Sequence, residues 1–311
     1  DLLVDKMEVL RQSFVAKAKE FADVIKVART QLQDAIPVLL GQEFEAYGIM
    51  VEEDIQRVKE AQLLIREINL GGTAIGTGLN APPEYAPLVT RILSEQSGIP
   101  LVESQNLVEA TMDAGVYVQL SGVLKRVAVK LSKICNDLRL LSSGPRAGLN
   151  EINLPPMAPG SSIMPGKVNP IIPEVVNQVA FEVIGNDVTI TMAAEAGQLE
   201  LNAFEPVIAY NLFNSIDMLS HACRTLAERS IRGITANKER TRKMVENSIG
   251  LVTALNPIIG YEKASEIAGE ALESGRSVYE IVLEKGYLSK TQLEGILSPE
   301  SMTHPRYIHP H

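Results

Sequence analysis

Ile208, Leu212, Ile216, Leu219, Cys223 and Leu226 follow one another at steps of three or four residues, so they line one face of a helix running from about Phe204 to Ile231. Comparable runs extend from Pro37 to about Ile68, from about Ser104 to Leu141 with interruptions only at Gly115 and Gly122, and from about Pro173 to Ala196. A shorter one covers about Pro83 to Ser97. At about 1.5 Å rise per residue, the run from Pro37 makes a rod roughly 45 Å long. Several such rods with short polar connections predict an all-α fold built on a long helical bundle. Rods of this length have too little apolar surface to be stable alone, so subunits are expected to share a core. The absence of Trp and the 5% aromatic content point to cores of Leu, Ile, Val and Ala.

The first run starts at the first residues, with Leu2, Leu3, Met7, Leu10, Phe14, Ala18, Phe21 and Ile25 at helical spacing. No capping residue precedes it, which predicts a segment upstream of Asp1. Pro37 suits the first turn of the next helix. After about Lys238 the texture changes to short helices, giving an expected division into a central bundle, residues 1–238, and a small helical C-terminal domain, residues 239–311. Ser277 with Glu280 and Ser289 with Gln292 read as capping boxes, and Gly286 as a stop between them. This helix pair has the outline of a DNA-binding helix-turn-helix, but its surroundings are acidic, so an accessory domain is expected.

Net charge is −9 with no Lys/Arg-dense block, which argues against nucleic acid or anionic membrane as partners. No apolar run approaches the length of a membrane span. Cys135 and Cys223 sit inside helical patterns and read as buried thiols of a soluble protein in a reducing, cytoplasmic compartment. Three of the four histidines, His304, His309 and His311, lie in the tail, and His221 lies mid-helix. That removes histidine-assisted nucleophiles from the glycine-rich regions, and no Cys/His spacing suits zinc. Gly71 to Asn80 carries four glycines but lacks the lysine of a phosphate-binding loop. It reads as a connection where backbones approach closely, or as a ligand contact.

One segment stands apart: Pro159-Gly160-Ser161-Ser162-Ile163-Met164-Pro165-Gly166-Lys167-Val168-Asn169-Pro170. Its prolines and glycines forbid ordinary helix, and it is too polar for core. A serine acts as a base only as an alkoxide, stabilised by N–H donors and a nearby cation. The Gly160-Ser161-Ser162 amides and Lys167 supply both kinds of group. Residue chemistry alone therefore reaches a serine-centred, anion-handling site.

The same segment resembles the G-S-S-x-M-P-x-K-x-N signature of the aspartase/fumarase superfamily at every fixed position. Thr30 to Ala35, Gly71 to Asn80, Ser142 to Ile152 and Ala193 to Asn202 extend the resemblance along essentially the whole chain, most closely to the aspartase branch. It implies the aspartase/fumarase-type bundle, a homotetramer with active sites shared between subunits, and elimination of ammonium from L-aspartate to give fumarate. In the family the first serine of the signature takes the Cβ proton, which implies Ser161 as base. Lys167 and Asn169 match positions that hold the substrate carboxylate, and Thr30 and Gln31 match the second substrate-binding segment. Gly160, Ser162 and Met164 support the loop. No organic cofactor or metal is required, although divalent cations activate some relatives.

Three departures bear on this. Fumarases of the superfamily carry His where Gln31 stands, often paired with a glutamate matching Glu174. Gly166 is the residue fumarases place before the lysine, where aspartases usually have Ala. The family's N-terminal domain, with its Thr/Ser-rich anion-binding segment, has no match here. The competing readings are thus a class II fumarase acting on malate and a truncated, non-catalytic relative.

Overall fold

A computed structural model describes residues 1–158, 163–164 and 166–304. The described residues form thirteen α-helices and a few short strands. In chain order these are α1 (Leu2–Glu20), β1 (Ile25–Thr30), β2 (Gln33–Leu39), α2 (Leu40–Leu64), α3 (Tyr85–Ser97), α4 (Glu109–Met112), α5 (Gly115–Leu141), α6 (Ile171–Glu195) and α7 (Glu205–Arg229). Six shorter helices follow: α8 (Lys238–Glu246), α9 (Leu251–Ile259), α10 (Tyr261–Ser274), α11 (Val278–Glu284), α12 (Lys290–Ile296) and α13 (Pro299–Thr303). The fold class is all-α, as the periodicity predicts.

The chain divides into two compact units. The first comprises residues 1–11, 49–137 and 156–230 and contains most of the long rods. Its core is aliphatic, with Leu124, Val127 and Leu131 from α5, Val176, Ala180, Val183 and Ile190 from α6, and Ile208, Leu219 and Leu226 from α7. On α7 the expected apolar face passes through Ser215 rather than Ile216: Ser215 is buried and accepts a hydrogen bond from Asn186 Nδ2 at 3.1 Å. A second buried polar link joins α5 to α6, where Ser121 Oγ donates to Asp187 at 2.7 Å. Such satisfied pairs let polar residues occupy bundle interiors without the cost of an unpaired group.

The expected helix over 104–141 is broken. Asp113 adopts an extended backbone, and its carboxylate accepts the Gly115 N–H at 2.9 Å, so α5 begins only at Gly115. Between α6 and α7, Asn202 closes one helix by donating to the carbonyls of Ala193 and Ala194, and accepts the Phe204 N–H ahead of the next. Cys135 and Cys223 are both buried and unpaired with each other, and burial pushes the Cys223 thiol up to about 12. The reactive thiolate is thus scarce there near neutral pH. Native protein is therefore expected to leave Cys223 unlabelled by a thiol reagent that labels it fully in denaturant, as peptide mass analysis would read.

The second unit comprises residues 12–48, 138–155 and 231–311. Phe14, Phe21, Phe44 and Tyr47 pack as tilted and edge-to-face rings with centroids 5.2–6.2 Å apart. Two expectations are corrected here. Ile25 opens β1 instead of extending α1, and Pro37 lies inside β2 instead of starting α2. The chain doubles back after α1, with Val24 O accepting Leu40 N–H at 2.8 Å and Phe21 O accepting Gly41 N–H at 3.0 Å. A Cβ on Gly41 would stand 2.5 Å from Ala18 O, so only glycine permits this crossing. The C-terminal helices bury Leu255, Ile267, Ile281, Val282 and Leu293 around a core that also takes Val27 of β1. Ser289 and Gln292 form a full reciprocal capping box, and Ser277 accepts the Glu280 N–H. No helix among the described residues is long and apolar enough to cross a membrane.

Candidate active site

Thr30 and Gln31 stand at the tip of the β1–β2 hairpin in the second unit. Thr30 pairs with Gln33, leaving Gln31 and Leu32 as a two-residue loop with φ of 53° and 63°. Two positive φ values are what a type I′ turn requires, and the hand of that turn matches the twist of the strands. Neither residue is Gly or Asn, so the conformation costs of order 1–2 kcal/mol per residue and persists because the structure around it imposes it. Thr30, Gln31 and Leu32 are all exposed.

The strand that leads into the turn carries a buried charge network that the sequence did not single out. Glu151 is fully buried, in the connection after α5. Its Oε1 accepts from Arg29 Nη1 at 2.5 Å, and its Oε2 lies 2.9 Å from Lys26 Nζ, close enough for an ion pair although off the line of a hydrogen bond. Lys26, 2% exposed, also donates to Glu43 Oε1 of α2 at 2.7 Å. Removing one partner from such a buried pair costs about 3–5 kcal/mol, because the other charge is left without compensation. The Glu151 backbone is held as well, its carbonyl accepting Asn237 N–H at 2.9 Å.

In the first unit, Met164, Lys167 and Asn169 lie on the approach to α6. The Lys167 N–H donates to Met164 O at 3.2 Å, and Gly166 takes φ 82°, a conformation that favours glycine. The Lys167 side chain is exposed and Asn169 is half-buried. Pro170 stands at the N-cap of α6 without side-chain capping. A helix N-terminus with a lysine beside it is a poor place for a second cation and a good one for an anion. Glu174, half-buried, occupies the first turn of α6. Ser161, with Gly160 and Ser162, lies outside the described residues.

The Gly71–Asn80 segment shows the close backbone approach expected of it. A Cβ on Gly71 would meet Ala86 Cβ at 2.5 Å, and one on Gly76 would meet Leu107 O at 2.3 Å. Among the described residues, no three His, Cys, Asp or Glu side chains gather so as to hold a metal ion.

Comparison with known proteins places these features in a family. A model described as "Lyase" matches residues 1–185, and one described as "Fumarase C C-terminus" matches residues 251–304. An aspartate ammonia-lyase of Helicobacter pylori is 62% identical over 309 residues, covering 99% of this chain and 66% of that protein. The aspartate ammonia-lyase of Escherichia coli K12 is 56% identical over 305 residues, covering 98% of this chain and 64% of that protein. The chain therefore spans just under two thirds of the length of these relatives. Among solved structures, the cobalt-bound fumarate lyase:delta crystallin of Brucella melitensis superposes with a TM-score of 0.95 at 56% identity, over 98% of this chain and 66% of that one. A class II fumarase of Schistosoma mansoni superposes with a TM-score of 0.92 at 33% identity, over 98% of this chain and 67% of that one. With more than half of its length matched to the lyase model, the chain belongs to the aspartase/fumarase superfamily of lyases.

Proposed function

We propose that this protein deaminates L-aspartate reversibly to fumarate and ammonium. The observation that carries the reading is the 62% identity, along 99% of the chain, to an aspartate ammonia-lyase. Ser161, as the alkoxide, takes the Cβ proton. The electron pair passes into the adjacent carboxylate, giving a doubly charged aci-carboxylate that Lys167, Asn169 and the loop amides stabilise. Collapse of that intermediate breaks the C–N bond anti to the departed proton and releases the already protonated amino group as ammonia, which takes up a proton in solution to become ammonium. Thr30 and Gln31 hold substrate from the hairpin turn, while Gly160, Ser162 and Met164 shape the loop. No organic cofactor enters this chemistry, and a divalent cation acts in it only as an activator.

The protein works as a homotetramer whose active sites are shared between subunits. Support comes from Phe181, Val188 and Met192, which recur on α6 at steps of seven and four residues while 63%, 55% and 66% exposed. Large apolar surface of this kind is rare on monomers. We place the sequence division at a central bundle, residues 1–238, and a small C-terminal domain, residues 239–311; the separate family match over 251–304 supports it. The compact units cut the chain otherwise, with residues 12–48 and 138–155 grouped with 231–311. A cytoplasmic location accords with this substrate and with the two buried thiols. Fumarase activity is the second reading, favoured by Gly166. The test is release of fumarate by the full-length protein from L-aspartate, followed by ultraviolet absorbance; no release above background overturns the proposal.

The carboxylate clamp has its own test. A hydrogen bond to a charged group contributes about 1.5–3 kcal/mol, so Lys167→Met is expected to weaken succinate inhibition by roughly 10- to 150-fold. An unchanged inhibition constant would show that Lys167 is a solvated surface lysine.

A further inference from the structure

Glu151, buried in the connection after α5, is ion-paired to the strand that carries the turn proposed to bind substrate. Lys26 and Arg29 are three residues apart in β1, and residues at that spacing in an extended strand point to opposite faces. Both nevertheless end on this one carboxylate, Arg29 at Oε1 and Lys26 at Oε2. Glu151 thus holds β1 at two points, immediately before Thr30 and Gln31.

The hairpin needs such a grip. Val27 pairs with Pro37 but Arg29 pairs with Asp34, so β2 carries one more residue than β1 opposite Ala28. A bulge of this kind leaves a residue unpaired, adds twist and re-aims the strand beyond it. Pro37 has no N–H to give the ladder. Backbone pairing alone therefore leaves the direction of the turn weakly determined, and the turn itself is held in a conformation its residues disfavour.

We infer that Glu151 is a positioning residue that aims the Thr30–Gln31 turn at the substrate through Arg29. The inference rests on the reading of that turn as substrate-binding. Displacement of a binding group by an ångström can cost about 10²-fold. In the full-length protein, Glu151→Gln and the charge-conserving Arg29→Lys are each expected to raise KM for L-aspartate and the inhibition constant of succinate by at least about tenfold. Thr30→Val alone should weaken succinate too, and combined with Arg29→Lys it should do little more than the larger single change.

Unchanged KM and inhibition constants with only a lowered melting temperature, or full additivity with Thr30→Val, would reduce Glu151 to a structural role and overturn the inference. If Glu151→Gln does not fold, Arg29→Lys decides the question alone, since it keeps the charge balance. A Thr30→Val protein that binds succinate normally would instead sink the reading of the turn, and the inference with it.

Discussion

Ser161→Ala is expected to lower turnover of L-aspartate by about 10²–10⁴-fold, the usual loss when a positioned proton-transfer group is removed. Substrate affinity should change far less. On the proposed mechanism the hydroxyl acts on the Cβ proton in the transition state, whereas Lys167, Asn169 and the Thr30–Gln31 turn would bind the carboxylates in the ground state as well, so kcat should fall while KM and succinate inhibition stay near wild type. The fold should survive, because the described neighbours of Ser161 are solvent-facing, with Ile163 87% exposed. Exchange of the Cβ hydrogen with solvent during turnover should disappear along with fumarate release. A variant keeping more than about a tenth of the wild-type rate would assign proton removal to another group, since even the weakest general-base contribution exceeds that.

The long rods α6 and α7 were legible because their apolar spacing persists for many turns, and their ends fall within about two residues of the expected positions. The β1–β2 hairpin was not legible, for a specific reason. Its turn places Gln31 and Leu32 at positive φ, where sequence signals lead one to expect Gly or Asn. Pro37, which imitates a helix start, sits in the strand where a missing N–H is tolerated beside a bulge. The break before α5 was hidden likewise, since a single Asp113 side chain ends one helix and prepares the next inside an otherwise periodic run.

Candidate site residues divide along the same line. Ser161, Lys167 and Asn169 announce themselves by their order in one short loop. Glu151 does not, because its two cationic partners, Lys26 and Arg29, lie on a strand no periodicity revealed. The polar bundle pair Asn186–Ser215 was hidden because an apolar Ile216 stood next to it and completed the expected stripe.

On the proposed reading, the choice of leaving group turns on Gln31. Elimination of water from malate needs a group that delivers a proton to the departing hydroxyl, a task for an imidazole titrating near neutral pH. An amide neither gains nor loses a proton in that range, yet it offers two donors and an acceptor to a bound carboxylate. The amino group of L-aspartate is already protonated and leaves as ammonia, so it needs no such proton delivery. The full-length protein is therefore expected to favour L-aspartate over L-malate by at least about 10²-fold in kcat/KM, the smallest usual contribution of one acid–base group. Placing His at position 31 supplies one titrating group and not the rest of a water-activating pocket, so the preference should narrow without reversing.

The direct measurement is the initial rate of fumarate formation from L-aspartate and from L-malate, at matched concentrations of the same enzyme preparation. Rapid release from L-aspartate with at most a trace from L-malate is the predicted result. Turnover of L-malate equal to or faster than that of L-aspartate would contradict it, and would make Gly166 rather than Gln31 the residue that marks this chain's chemistry.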